Sequence, residues 1–335
     1  MNCGDAREAR DARASTPRRR DAYRVSANGS ERYGACVRPR MAPPILPSVQ
    51  REGSSDAAAH QAVVREIAVR ISGQPARVFV GGQSGEHLLL IHGGWGGART
   101  HWSSVWDDLA KRFRVVAPDL PGIGRTDQEG LGSVEAYAQW LRGLLDALAV
   151  PTAWCVGNSF GASVACRFAR DFPMRCAGLV LVNGFAMPRS PHLLRWLGDR
   201  PLGLRIVGFL ERKIVYSPSA LKRGFVDPSR APEELRRLVA APSAPEAAAI
   251  AKILVRGDSR ASSSVAPLLL WGEDDRLPGT TARAARKLHA SLPGSTLVFV
   301  KAAGHLPQVE NPKAFVDGLC AYVDAAEGRP ADHGL

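Results

Sequence analysis

Trp154-Cys155-Val156-Gly157-Asn158-Ser159-Phe160-Gly161 carries the chain from a short apolar run into an Ala- and Val-rich segment with helical spacing. The first three residues read as a buried strand and residues 160–171 as a helix. Between them, Gly157 and Gly161 flank Ser159 in the pattern G-x-S-x-G, where small residues permit a sharp turn that lifts the serine hydroxyl out at the end of the strand. A strand that turns directly into a helix is half of a crossover unit, and crossover units build parallel sheets.

Outward from this point the same alternation repeats. Residues 87–91, 114–117, 178–182, 267–271 and 296–300 are near-continuous apolar runs, as expected of strands covered on both faces by helices. Residues 67–71 and 77–80 alternate like an early antiparallel pair, and helical patterns fit residues 102–112, 133–148, 281–291 and 312–326. The order predicts an α/β protein with a mostly parallel, doubly wound sheet. One interval interrupts it. Residues 185–262 hold no strand pattern but several amphipathic helical ones, around 193–209, 231–239 and 247–255, and read as a helical lid inserted between two core strands. The expected organisation is therefore a core over 61–184 and 263–328, a lid over 185–262, a disordered Arg-rich extension over 1–60 and a disordered tail over 329–335. The change of character at Met41 suggests a natural start there, or a dispensable front.

The chain has 335 residues, 45% hydrophobic and 23% charged, which is ordinary globular composition. Its formal charge of +12 raises nucleic acid as a partner, but residues 1–40 hold ten Arg against five Asp or Glu and supply much of the excess. Arg18-Arg19-Arg20 is the one tight basic run, and no aromatic interleaving or zinc-finger spacing accompanies it, so nucleic-acid binding is not expected. The lid holds fourteen Lys or Arg against seven Asp or Glu, which allows a substrate bearing a carboxylate or phosphate. Six cysteines without paired spacing read as free thiols, with Cys155 and Cys166 in the core. No run reaches the length of a membrane span and no apolar leader opens the chain, so a cytoplasmic location is expected.

A serine hydroxyl needs a base to become a nucleophile. His305, in Ala303-Gly304-His305-Leu306-Pro307, stands in the loop between the strand at 296–300 and the final helix, and is the best-placed base. His60 and His333 lie in the terminal segments, His87 opens a strand, His101 and His289 sit in helical patterns, His192 is near the lid's start and His92 belongs to a glycine motif. The acid that orients the imidazole is expected in Gly272-Glu273-Asp274-Asp275, just past the strand at 267–271; chemistry alone leaves the three acids open. The position after the strand at 178–182 holds Asn183, which supplies no charge. Glycines in His92-Gly93-Gly94-Trp95-Gly96-Gly97 let backbone N–H groups approach an oxyanion, and the N–H of Phe160, next to the nucleophile, is the second donor. No Walker Lys-Ser/Thr follows that loop, so a phosphate cradle is not expected.

Taken together, His92-Gly93-Gly94, Asp119-Leu-Pro-Gly-Ile-Gly124, Gly157-Asn-Ser-Phe-Gly161, Gly272-Glu-Asp-Asp275 and Gly304-His305 with Glu310 and Pro312 resemble the α/β-hydrolase superfamily over about residues 62–328. The resemblance implies the α/β-hydrolase fold with a helical lid, selects Asp275 as the acid, gives His92 a structural role with Gly93, and makes Gly94 the other oxyanion donor. It further implies a serine hydrolase that needs no cofactor or metal and acts on a small-molecule acyl substrate, an ester, thioester or lactone, with Trp95, Asn158 and Leu306 near the substrate. The motif style is similar to the group of carbon-carbon hydrolases and proline iminopeptidases, although carbon-carbon hydrolases usually carry Trp where this chain has Leu306. Acyl transfer on the same triad, and a ligand-binding protein that has lost catalysis, are the other readings.

Overall fold

The computed structural model describes residues 64–123, 129–185, 196, 200–241, 249–253 and 265–329. The expected disorder of 1–60 and of 330–335 falls outside them, as do Cys3, Cys36 and parts of the interval 185–262; Arg329, expected in the tail over 329–335, is described and donates its N–H to the Asp324 carbonyl at 2.9 Å. Eight strands form one sheet: β1 Arg65–Ile71, β2 Gln74–Gly81, β3 His87–Ile91, β4 Arg114–Pro118, β5 Ala153–Asn158, β6 Cys176–Val182, β7 Leu268–Gly272 and β8 Thr296–Val300, in the spatial order β1-β2-β4-β3-β5-β6-β7-β8. β2 is antiparallel to both neighbours and every pair from β4 to β8 is parallel. This is the mostly parallel, doubly wound α/β sheet expected. The β1–β2 hairpin closes between Ile71 and Gln74, with Ser72 and Gly73 at φ 50° and 82°. Positive torsions at both turn residues match the right-handed twist of the strands they join.

The apolar runs are continuous because both sheet faces are covered. Leu89, Ile91, Cys155, Leu179, Leu181 and Leu269 pack on one face with helices α3 (Val134–Ala147) and α4 (Phe160–Asp171). Leu88, Leu90, Trp154, Val156, Val180, Leu268 and Leu270 pack on the other, against α1 (Ala98–Trp102) and α2 (Trp106–Ala110) and against α10 (Pro312–Glu327), which follows the short α9 (Pro307–Glu310). Successive residues alternate faces, as the two-residue period of a strand requires. Cys155, Cys166 and Cys176 are buried and Cys320 is half-buried, none of the four in a disulfide.

Helix boundaries follow local caps. Ser133 accepts the Ala136 N–H ahead of α3, Thr281 that of Ala284 ahead of α8 (Ala282–Ser291), and Asn311 that of Ala314 ahead of α10, which ends at Gly328 in the left-handed region. One expected helix differs. In place of one helix over 102–112 there are two short ones, α1 and α2, and α1 begins at Ala98, where the buried Asp119 accepts the Ala98 N–H at 2.7 Å. That cap comes from 21 residues away, so local sequence does not signal it.

Between β6 and β7 lie α5 (Pro201–Ile214), α6 (Pro218–Gly224) and α7 (Glu233–Ala240), with further helical turns over 249–253. α5 runs beyond the 193–209 expected, and α6, capped by Ser217 with Pro218 in its first turn, was not anticipated. Tyr216, Leu221, Phe225, Leu235 and Val239 pack with Trp95, Leu277 and Leu306 from the loops after β3, β7 and β8. The insertion thus stands on the C-terminal ends of the strands, where α/β sheets place their sites. No described helix is long and apolar enough to cross a membrane.

Candidate active site

Ser159 sits between β5 and α4 with φ 53° and ψ −116°, a conformation that a residue with a Cβ rarely adopts. Its backbone N–H donates to the Val182 carbonyl at 2.9 Å, which ties the turn to the end of β6. The flanking glycines do not carry the unusual torsion. A Cβ on Gly161 would lie 2.2 Å from the Ile91 carbonyl oxygen and one on Gly157 would lie 2.3 Å from that of Gly161, so both are needed for close approach. Phe160 opens α4, and its N–H is among the first-turn donors that no helical carbonyl reaches.

His305 follows β8 and Asp275 follows β7, and Nδ1 of His305 lies 2.7 Å from Oδ2 of Asp275, both side chains being buried. Asp275 also accepts the Leu277 N–H on Oδ1 and the Asn183 amide on Oδ2, each at 2.9 Å. Surrounded by donors, Asp275 is an acceptor, so Nδ1 of His305 carries the hydrogen and Nε2 keeps its lone pair in the neutral ring. Of the three adjacent acids, Glu273 is exposed, Asp274 is half-buried, and Asp275 is the one bonded to the imidazole. Asn183, the residue without a charge, proves to be its clamp: Oδ1 accepts the Gly272 N–H at 2.8 Å while Nδ2 donates to Asp275. His305 itself is fixed through its backbone, by its N–H to the Gly224 carbonyl at 2.6 Å and by the Asn158 amide to its carbonyl at 3.1 Å.

The glycine loop after β3 hangs on two buried histidines. His92 bonds through Nδ1 to the Gly93 carbonyl at 2.7 Å and accepts the Leu120 N–H on Nε2 at 2.8 Å. His101 accepts the Gly93 N–H on Nε2 at 3.1 Å and bonds through Nδ1 to the Gly97 carbonyl at 3.1 Å. Burial lowers the pKa of His92, opposed by the Asp119 charge; burial, then neighbouring His92, lowers that of His101 well below the ordinary value. Both rings are therefore neutral at pH 7, as one donor and one acceptor on each requires. With the Gly93 N–H taken by His101, the Gly94 N–H is the next one along the loop. The Gly94 carbonyl accepts the Tyr216 hydroxyl at 2.7 Å, which joins the insertion to the loop.

Ser159, Phe160, Gly94 and His305 line a cavity of about 480 Å³ with Trp95, Tyr216 and Ile250. Of the three residues expected near a substrate, Trp95 lines this cavity, stacked on Phe225 and edge-on to His305 with its Nε1 donating to the Val215 carbonyl. Asn158 and Leu306 do not line it. The Asn158 amide is spent on backbone carbonyls of β6 and of His305, and Leu306 is taken into the apolar cluster under the insertion. Glu211 of α5 also lines the cavity, and burial pushes its carboxyl up to about 7. Sequence reading missed His101, Asn183, Tyr216 and Glu211; only Asn183, directly after a core strand, carried a positional signal. Glu310 accepts the Gly304 N–H at 2.7 Å and those of Val226 and Asp227 at 2.8 and 3.2 Å, so it pins the His305 loop to the insertion. Burial raises its carboxyl and these backbone bonds partly oppose the shift. Among the described residues, no group of three or more His, Cys, Asp or Glu is placed to hold a metal ion.

Comparison with known proteins fits this geometry. The family model described as the Alpha/beta hydrolase family matches residues 88–318. An uncharacterized Mycobacterium tuberculosis protein is 30% identical over 278 residues, 77% of this chain and 80% of that protein. The 2-hydroxy-6-oxo-6-phenylhexa-2,4-dienoate hydrolase of Burkholderia cepacia is 26% identical, over 69% of this chain and 85% of its own length. Among solved structures, a thermophilic esterase from Thermogutta terrifontis superposes with a TM-score of 0.60 at 25% identity, covering 78% of this chain and 99% of that one.

Proposed function

Because the chain belongs to the alpha/beta hydrolase family, we propose that it is a serine hydrolase that cleaves an ester, thioester or related acyl bond of a small molecule through Ser159, His305 and Asp275. The observation that carries the proposal is the buried His305–Asp275 pair opening on the same cavity as a strained Ser159. The Ser159 hydroxyl attacks the substrate carbonyl while Nε2 of His305 takes its proton, and Asp275 holds the imidazolium that forms. The Gly94 and Phe160 N–H groups receive the oxyanion, whose charge grows in the transition state, so their contribution falls on the barrier rather than on ground-state binding. His305 then returns its proton to the leaving group, and a water activated by the same base hydrolyses the acyl-enzyme. The esterase name of the Thermogutta terrifontis neighbour and the hydrolase name of the Burkholderia cepacia relative support this class. The latter name also favours a second reading, carbon-carbon bond hydrolysis on the same three residues.

The test is fluorophosphonate labelling of the purified protein beside Ser159→Ala, with a panel of nitrophenyl esters and one 2-hydroxy-6-oxo-dienoate. Labelling and ester turnover that vanish in the variant are expected. Turnover of the dienoate alone moves the assignment to carbon-carbon hydrolysis, and failure of folded protein to label or turn over any substrate refutes the hydrolase reading in favour of a ligand-binding protein.

A further inference from the structure

α5 turns Leu204 and Val207 inward against Ala251 and carries Glu211 and the cavity-lining Ile214 farther along the helix at the same spacing. Leu202, Ile206, Phe209 and Leu210 are 49–70% exposed, while the acid between them and the loop, Glu211, lines the cavity that holds Ser159 and His305. A carboxylate in that inward, otherwise apolar row is the side chain the hydrophobic effect alone would place in solvent. Among the described residues, the cavity wall includes no Lys or Arg. Among the described residues no side-chain hydrogen bond or ion pair satisfies Glu211 either. A carboxylate left in an apolar cavity without a cation is costly, and such groups cluster where a ligand interacts with them.

We propose that Glu211 is the specificity-determining residue of this cavity, admitting uncharged and cationic acyl groups and rejecting those that carry a carboxylate or phosphate. The inference rests on the serine-hydrolase reading and narrows its substrate class. It reverses the expectation of an anionic substrate drawn from the basic lid composition, and it separates this chain from a hydrolase whose substrate is a dienoate. A second negative charge in the same desolvated space faces like-charge repulsion that water screens poorly. A neutral chain meets no such penalty, and a cation gains an ion pair.

The exclusion depends on pH, because burial places the Glu211 carboxyl at about 7. Below that value it is mostly uncharged and accepts or donates a hydrogen bond; above it the full negative charge is present, so rejection of anions grows as pH rises from 6 to 8. The other titratable groups on the wall are His101, held neutral by burial; Tyr216, which donates to Gly94; and His305, bonded to Asp275. Charged groups on the adjoining segments are Arg212 and Lys213 of α5, Arg223, Lys252, Arg276, and Arg283 and Lys287 of α8; burial alone governs the Glu211 carboxyl. Arg212 is turned to the Ala241 carbonyl.

The experiment compares kcat/KM for p-nitrophenyl valerate and mono-p-nitrophenyl glutarate, esters of similar length and identical leaving group, from pH 6 to 8. Taking their ratio cancels any pH dependence of the catalytic steps common to both. At pH 8 the neutral ester is expected to be preferred by on the order of tenfold or more. The preference should shrink toward pH 6, and Glu211→Gln should pull the pH 8 ratio toward the pH 6 value and flatten the profile. Turnover of both esters at a ratio independent of pH and unchanged by Glu211→Gln overturns the proposal while leaving the hydrolase reading intact. Turnover of neither, with no fluorophosphonate labelling of Ser159, overturns both. Labelling of Ser159 in Glu211→Gln shows that the variant is folded.

Discussion

Ser159 stores backbone strain, and two substitutions isolate it. Ser159→Ala and Ser159→Gly both delete the hydroxyl and differ only in the Cβ. At φ 53° and ψ −116° the Cβ is what makes the conformation unfavourable. Residues held in such regions cost on the order of 1–3 kcal/mol. Removing the Cβ releases that cost, while the greater freedom of glycine in the unfolded chain returns about 0.4–1 kcal/mol to the other side. The difference leaves Ser159→Gly more stable than Ser159→Ala by about 1 kcal/mol, or roughly 2–4 °C in Tm for a domain of this size. Thermal melts of the two variants at one pH and one protein concentration measure it, and nitrophenyl ester assays check that both are inactive. A Ser159→Gly variant equal to or less stable than Ser159→Ala would refute the argument, because it would mean that the surrounding fold does not impose this torsion. The strain persists because the elbow is held from outside: by the Val182 carbonyl on the Ser159 N–H and by the tight approach of Gly161 to β3.

Other expectations follow from the hydrogen-bond partners. Asn183→Gly keeps the φ of 41° accessible but removes the amide that holds Asp275; a bond to a charged group is worth about 1.5 kcal/mol or more, so kcat for an ester should fall roughly tenfold with KM little changed. Equal loss in KM would assign Asn183 to binding instead. Tyr216→Phe deletes the hydroxyl on the Gly94 carbonyl and should lower kcat/KM about threefold to tenfold, in line with about 1 kcal/mol for a neutral hydrogen bond; unchanged kinetics would show that the oxyanion loop holds without the insertion. His92 and His101 have folded-state pKa values below the unfolded value of 6.5. The unfolded chain therefore binds more protons as pH drops through 6.5, and their contribution to stability, present above that pH, is lost by up to about 1.4 kcal/mol per pH unit for each ring. Melts at pH 7, 6 and 5 should show a falling Tm, and a flat profile would contradict the buried neutral rings.

Much of this protein could be read from local sequence, because the determining forces act locally. Continuous apolar runs mark strands covered on both faces, Ser133, Thr281 and Asn311 cap helices within three residues, and the glycines of Gly157-Asn-Ser-Phe-Gly161 mark a turn that needs backbone contact. The juxtaposition of Ser159, Asp275 and His305 was legible for the same reason: each follows a core strand, and parallel strands deliver their C-terminal ends to one edge of the sheet. What the sequence left open involves partners far along the chain. The choice of Asp275 over Glu273 and Asp274 rests physically on its bonds to His305 and Asn183; the early start of α1 at Ala98 rests on Asp119; and the positions of Tyr216 and Glu211 rest on how α5 lies over the strand ends. Composition gave the 185–262 interval a positive sign, yet the cavity wall carries a carboxylate. A helix's charge is a property of its sequence, but the side it turns inward is set by packing, and that decision belongs to the tertiary structure alone.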